Sequence, residues 1–302
     1  MRLRRLLLPF LVLLLMPPTA AAGDGPPTSR DAGRDGVLEP SGHERLTALF
    51  TSFHTVLART QTDGGRVVQA EVLPGTWGVP VVAYDGTAGG LSADARTLVL
   101  MQPARRLPRR LSRFAVVDVR GLALRRRIVL EGDWSFDAIS PDASTLYLTQ
   151  ALGRKADRYA VRAYDLRAHR LVKDPVVDPA EPDEPLRGWP VTRTTGPGGR
   201  WEYTLYTGGH EPFIHALDTV HRTSICIDLP RRVGRAKRIW SFRLELRGGR
   251  IAVVDRDKVV ASAARRPQQA SAGGGPPWIA AIVAATGLLA AAGVRRARRK
   301  GA

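Results

Sequence analysis

Histidines, acidic residues and a single thiol are the side chains of this 302-residue chain best suited to hold a metal or attack a substrate. The histidines are His43, His54, His169, His210, His215 and His221, and the thiol is Cys226. A zinc site needs three or four ligands converging at short, fixed spacings. His210, Glu211 and His215 come nearest to that. His210 and Glu211 belong to a Gly-Gly-His-Glu-Pro loop, however, whereas His215 alternates with Phe213 and Leu217 on one face of a strand. Alternate residues of a strand share a face, so His215 reads as a packed or hydrogen-bonded residue and not a ligand. Cys226, flanked by Ile225 and Ile227, reads as a buried and inert thiol, and being alone it forms no intramolecular disulfide. No Gly-x-Ser-x-Gly elbow occurs, and no glycine-rich phosphate loop precedes a helix. Acidic pairs such as Asp183-Glu184 sit in Pro-rich loops where solvation is the default. The sequence therefore assigns no catalytic residue, no cofactor and no metal ligand. It leaves His210, Glu211 and Asp85 as a candidate loop site.

The elements that must position these residues are announced by four tryptophans. Trp77-Gly-Val-Pro, Trp134-Ser-Phe-Asp, Trp189-Pro-Val-Thr and Trp240-Ser-Phe-Arg follow one another at intervals of 57, 55 and 51 residues. A repeat of this length marks units that bury their apolar faces against their neighbours. After each tryptophan comes a turn signal and an apolar run, as in Leu91 to Leu100 and Ile139 to Leu148. The third repeat has the looser Thr195 to Thr204, and the fourth a shortened version, Arg247 to Val254. A third strand ends in an acid at Asp118, Asp165 and Asp218, where a carboxylate can accept hydrogen bonds from turn amides. A fourth strand closes the unit at 127–130, 171–177 and 223–229. Four short strands per unit is the arithmetic of a propeller blade.

Ser-Ala-Asp-Ala at 92–95, Ser-Pro-Asp-Ala at 140–143 and the strand-ending aspartates make the chain resemble the YVTN-type and WD-repeat propeller families over roughly Thr55 to Ala263. The resemblance implies an all-β fold, a small β-propeller of four, or five, four-stranded blades. It implies no particular activity, because propellers host unrelated ones. The Gly-His…Trp-Asp signature does not recur, and the third repeat carries a Pro-rich insert, Asp178 to Leu186. Thr55 to Val68 reads as a third and fourth strand with nothing before them. The last repeat lacks strands after Trp240 to Val254 beyond Lys258 to Ser262. Joining the two ends is expected to complete a fourth blade and remove exposed edges.

In a propeller the first strand of each blade lines the channel. Trp134 with Phe136, Trp189 with Val191 and Trp240 with Phe242 are then expected between blades. Pro80, Asp137, Thr192 and Arg243, at matching places, are expected to turn toward the channel or one rim. Asp137 and Arg243 would sit on opposite blades, able to meet as an internal ion pair or a polar binding spot.

The two ends give an address. Three arginines, the uncharged run Leu6 to Met16, and Thr19-Ala-Ala-Ala22 make a secretory signal peptide over 1–22. A disordered Pro- and Gly-rich spacer is expected over 23–42 and the propeller ectodomain over 43–264. A flexible linker follows over 265–277, a transmembrane helix over 278–294 and a basic cytoplasmic tail over 295–302. The Arg295 to Lys300 cluster marks the cytoplasmic side of a type I membrane protein.

The net charge is +18, and with the three leader arginines and five basic tail residues set aside, +10 remains on the exported part. Export argues against nucleic acid as its partner. Anionic lipids, acidic wall polymers or an envelope protein are the partners available outside the membrane, and solvated arginine-rich loops account for the same charge without any partner. The expected function is a non-catalytic binding or scaffolding module of the cell envelope. The alternative is a propeller enzyme, a lactonase-like hydrolase or a quinone-dependent oxidoreductase, with its site at the channel mouth.

Overall fold

Alternating apolar residues and tight Asx turns build nineteen strands among the described residues, nearly all antiparallel neighbours in chain order. The computed structural model describes residues 35–264, apart from 105, 153–157, 185, 209–210 and 235–237. The first sheet holds β1 (Val37–Leu38), β2 (Glu44–Phe50), β3 (His54–Gln61) and β4 (Val67–Pro74). The second holds β5 (Thr97–Met101), β6 (Leu111–Asp118) and β7 (Ala123–Glu131). The third holds β8 (Trp134–Ile139), β9 (Thr145–Leu152), β10 (Arg158–Asp165) and β11 (Arg170–Val176). The Pro-rich insert returns to that sheet as β12 (Leu186–Arg187), paired to β10. The fourth holds β13 (Pro190–Thr195), β14 (Trp201–Tyr206), β15 (Phe213–Asp218) and β16 (Thr223–Asp228), and the fifth β17 (Phe242–Arg247), β18 (Arg250–Asp255) and β19 (Lys258–Ala264).

This is an all-β propeller of five sheets, the second of the two counts the sequence left open. Burial falls from the inner to the outer strand of a blade: every residue of β8 is buried, whereas β11 is mostly exposed. The second sheet's inner segment is irregular and joins β5 only through bridges Gly78↔Met101 and Leu91↔Leu98.

The expectation that residues 55–73 complete the last blade is overturned. β3 pairs with β2, and β2 with β1, so the missing first and second strands are residues 37–50. They escaped notice because they carry neither a tryptophan opener nor the Ser-x-Asp turn. β1 also lies inside the stretch 23–42 read as a disordered spacer, so residues 37 and 38 of it are strand.

Sheets stack face to face through apolar clusters. Leu46, Leu57, Leu98 and Ala115 join the first and second, and Val99, Phe114, Phe136 and Leu148 the second and third. Val191, Leu205, Leu244 and Val253 join the fourth and fifth. Between the third and fourth the cluster shrinks to six buried residues among those described. Among the described residues no buried apolar cluster joins the fifth sheet to the first. The first sheet's outward row, Leu49, Val56 and Val72, is exposed.

The tryptophan motif has a physical basis in two blades. The Ser112 hydroxyl donates to the Gly132 carbonyl at 2.9 Å and accepts from the Trp134 amide at 2.8 Å. Thr55 does the same with Gly75 and Trp77, both at 2.8 Å. The indole N–H of each tryptophan donates to the carbonyl three residues back, Pro74 or Glu131. Gly75 has φ +107°, and a Cβ there would meet the Trp77 Nε1 at 2.7 Å, so both backbone and space require glycine.

The signal peptide, linker, transmembrane helix and basic tail lie outside the described residues. Among those described, no helix is long and apolar enough to cross a membrane.

Candidate functional site

Two bulges set the polar centre. In β8 the register against β9 skips at Asp137, and in β13 the register against β14 skips at Val191. A bulge re-aims the side chains beside it. Asp137 and Arg193 therefore face each other across the third and fourth sheets. Arg193 donates through Nη2 to the Asp137 carboxylate and through Nη1 to its backbone carbonyl. Its Nε donates to the Thr204 hydroxyl at 2.8 Å. The two side chains are 5% and 3% exposed, so each charge depends on the other. Burial alone would lower the Arg193 guanidinium; the carboxylates of Asp137 and Glu202 outweigh it and leave it raised.

Beside the pair lies a cavity of about 370 Å³ at the channel mouth. β1, the inner segment of the second sheet, β8 and the first hairpin of the fourth sheet all contribute to its wall. Phe136, Val82 and Ile139 give it an apolar side, while Asp137, Arg193 and Glu202 give it a charged one. Glu202 is half-buried and its Oε2 accepts from the Thr195 hydroxyl at 2.8 Å. Burial pushes its carboxyl up to about 7, opposed by Arg193 and Thr195 and assisted by Asp137. The second oxygen of Asp137, Oδ2, is buried and accepts no hydrogen bond from the described residues.

Polar groups continue outward along the same seam. Arg193, Thr204, His215 and Cys226 are consecutive cross-strand partners in the fourth sheet. Burial lowers His215 to about 4, which makes it a neutral imidazole, and burial pushes the Cys226 thiol up to about 12. Tyr147 donates to the Thr219 carbonyl at 2.8 Å, and Arg222 to the Thr145 hydroxyl at 3.1 Å. Near the outer rim the Cys226 amide donates to the Asp178 carboxylate at 2.8 Å. Hydrogen bonds thus supply across this seam what apolar area supplies across the others.

The residues singled out from the sequence fall in several places. Asp137 lines the cavity. Thr192 and Pro80 are buried but do not line it, and Arg243 is not the partner of Asp137. The Arg243 guanidinium is mostly exposed, 4.0 Å from the Asp85 carboxylate. Matching positions by their offset from tryptophan failed by one residue in the fourth sheet. The bulge there sits two residues after Trp189, whereas in the third sheet it sits three after Trp134, and a slip of one exchanges the faces. Trp134, Phe136, Val191 and Phe242 are buried between blades as expected. Trp240 is 50% exposed instead, against Tyr84 with ring centroids 5.2 Å apart. The Tyr84 and Asp85 amides donate to the Pro190 and Val191 carbonyls, so this loop of the second blade meets the fourth. Glu211 is exposed and paired to Arg231 at 2.6 Å, while His210 lies outside the described residues. Among the described residues no group of three His, Cys, Asp or Glu side chains converges as a metal ion would require. Sequence reasoning missed Arg193 and Glu202, whose one available signal was a charge of each sign flanking the Gly-Pro-Gly-Gly turn.

No family model matches the chain, and no curated protein sequence does. Similar solved structures include Kuenenia stuttgartiensis hydrazine synthase, at 16% identity and a TM-score of 0.40, covering 61% of this chain. This chain spans 52% of that one. A putative TolB from Agrobacterium tumefaciens is similar at 13% identity and 0.42, covering 77% of this chain and 70% of its own. The Cps50 (Swd1) propeller domain of Myceliophteria thermophila is similar at 12% and 0.37, covering 73% and 66%. At these scores nothing about the activity of the present chain follows from them.

Proposed function

We propose that the chain is a membrane-anchored, extracytoplasmic propeller that binds or scaffolds without catalysis, and that the channel-mouth cavity is its binding site. The observation that carries this reading is the self-pairing of the channel's strongest charges. Arg193 is held at three donor nitrogens by Asp137 and Thr204, which fixes it as a wall of the cavity and withholds it from substrate. The address rests on the leader, the apolar stretch 278–294 and the arginine cluster after it. The basic exported surface suits anionic lipids, acidic wall polymers or an acidic envelope protein.

The channel-mouth enzyme remains the second reading because of Glu202. A carboxyl near 7 inside a cavity is poised for acid–base work. Its one side-chain hydrogen bond among the described residues is to the Thr195 hydroxyl.

Cell fractionation tests the address. The full-length protein should sediment with membranes, be digested by protease added outside the cell, and become soluble when the chain is ended after Ala272. Full-length protein recovered in the medium with its tail intact contradicts the anchor.

A further inference from the structure

The cavity's charges do not balance. Its wall contains Asp137, Glu202 and Arg193, and the guanidinium is already committed to Asp137. One carboxylate is left over, that of Glu202, which lines the cavity half-buried with the Thr195 hydroxyl as its hydrogen-bond donor. A partly buried carboxylate without a cation of its own is costly to ionise, and a ligand that supplies N–H groups and positive charge lowers that cost. An anion would meet two carboxylates, and the one cation present has no free fork to offer it. Opposite the acids stand Val82, Phe136 and Ile139, which suit an apolar body. The volume, about 370 Å³, falls at the small end of the range for small-molecule sites.

We propose that the channel-mouth cavity binds a small organic cation, a protonated amine carried on an apolar body, through Glu202. This rests on the reading of the cavity as a binding site and adds the chemical class of its ligand. The charged groups facing Glu202 are Arg193 from β13 and Asp137 from β8. The cation binds the ionised form of Glu202, so binding releases a proton and strengthens as pH rises through about 7.

Calorimetry on the full-length protein in detergent, with benzylammonium, benzyl alcohol and benzoate as probes, tests this. Benzylammonium should bind and the other two should not. Its affinity should fall about tenfold from pH 8 to pH 6, following the ionised fraction of a carboxyl near 7, an arm that needs no variant. Glu202→Gln should weaken binding about tenfold or more at pH 8 and abolish the pH dependence, with its unfolding midpoint recorded in the same preparation. Preference for benzoate or benzyl alcohol overturns the cationic class while leaving a binding cavity. Absence of binding by all three overturns the cavity as a site for such ligands, whereas the envelope reading is judged separately by fractionation. A second hollow of about 290 Å³ at the outer rim is lined by Asp178, Glu181, Glu184 and Asp228. Amine binding unchanged by Glu202→Gln would place the cation elsewhere, as in that hollow, and overturns the proposal.

Discussion

Glu202 and His215 pull the stability of the protein in opposite directions with pH. Glu202 ionises near 7 in the fold and near 4.5 when unfolded, so between those values the folded state holds the extra proton. Stability contributed by Glu202 is therefore full below about 4.5 and is lost as pH rises through 7. His215 titrates near 4 in the fold against 6.5 unfolded, so its contribution is full above 6.5 and is lost as pH falls toward 4. Thermal unfolding of wild type and Glu202→Gln should diverge with pH. Relative to wild type, the variant should gain stability between pH 5 and pH 8, while the acid limb due to His215 stays in both. Parallel profiles would show that Glu202 is solvated. At this scale the sequence was partly legible. Asp137 could be singled out because it lies off the strand face that Trp134 and Phe136 share, and so is aimed at the channel. Arg193 could not, since nothing in Thr192-Arg-Thr-Thr195 reveals that the chain bulges at Val191.

Among the elements, the recurrent clip between a strand-starting hydroxyl and the tryptophan turn is the most testable. Ser112→Ala removes the acceptor for the buried Trp134 amide and the donor to the Gly132 carbonyl. Leaving such groups unpaired costs about 1–3 kcal/mol, and Thr55→Val should cost a similar amount for the same reason. Denaturant titration checks both, and a loss below about 0.5 kcal/mol would mean that water replaces the hydroxyl. The strands themselves were legible wherever local chemistry marks both ends. Phe213–Asp218 was read residue for residue, because an apolar run ends in an aspartate whose carboxylate takes the Val220 and His221 amides. Ser140 and Asp142 cap their turn just as legibly, with Ala143 at φ +52°. The strands at 37–50 were not legible: β1 is two residues long, and β2, although a tight turn at Thr51 joins it to β3, carries neither the tryptophan opener nor the Ser-x-Asp turn that marks the other blades.

The whole molecule is a propeller whose five sheets meet at unequal seams. Deleting residues 37–50 strips β3 of its partner and bares both an edge and the apolar residues Leu57 and Leu73. The truncated protein should aggregate, and a soluble monomer by light scattering would contradict the five-sheet assignment. The seam between the third and fourth sheets differs from the other three seams between consecutive sheets because six buried apolar residues hold it where twelve or thirteen hold those, among the described residues. Hydrogen bonds and one buried ion pair make up the difference, and the same pair forms the floor of the cavity. The most direct test of this account is a double-mutant cycle on Asp137→Ala and Arg193→Met, read by denaturant unfolding. Each single variant leaves a buried charge unpaired and should cost about 3–5 kcal/mol, while the double variant should recover at least about 2 kcal/mol of the summed loss. Additivity within about 0.5 kcal/mol would contradict it, because it would mean that Asp137 and Arg193 do not hold the channel mouth together.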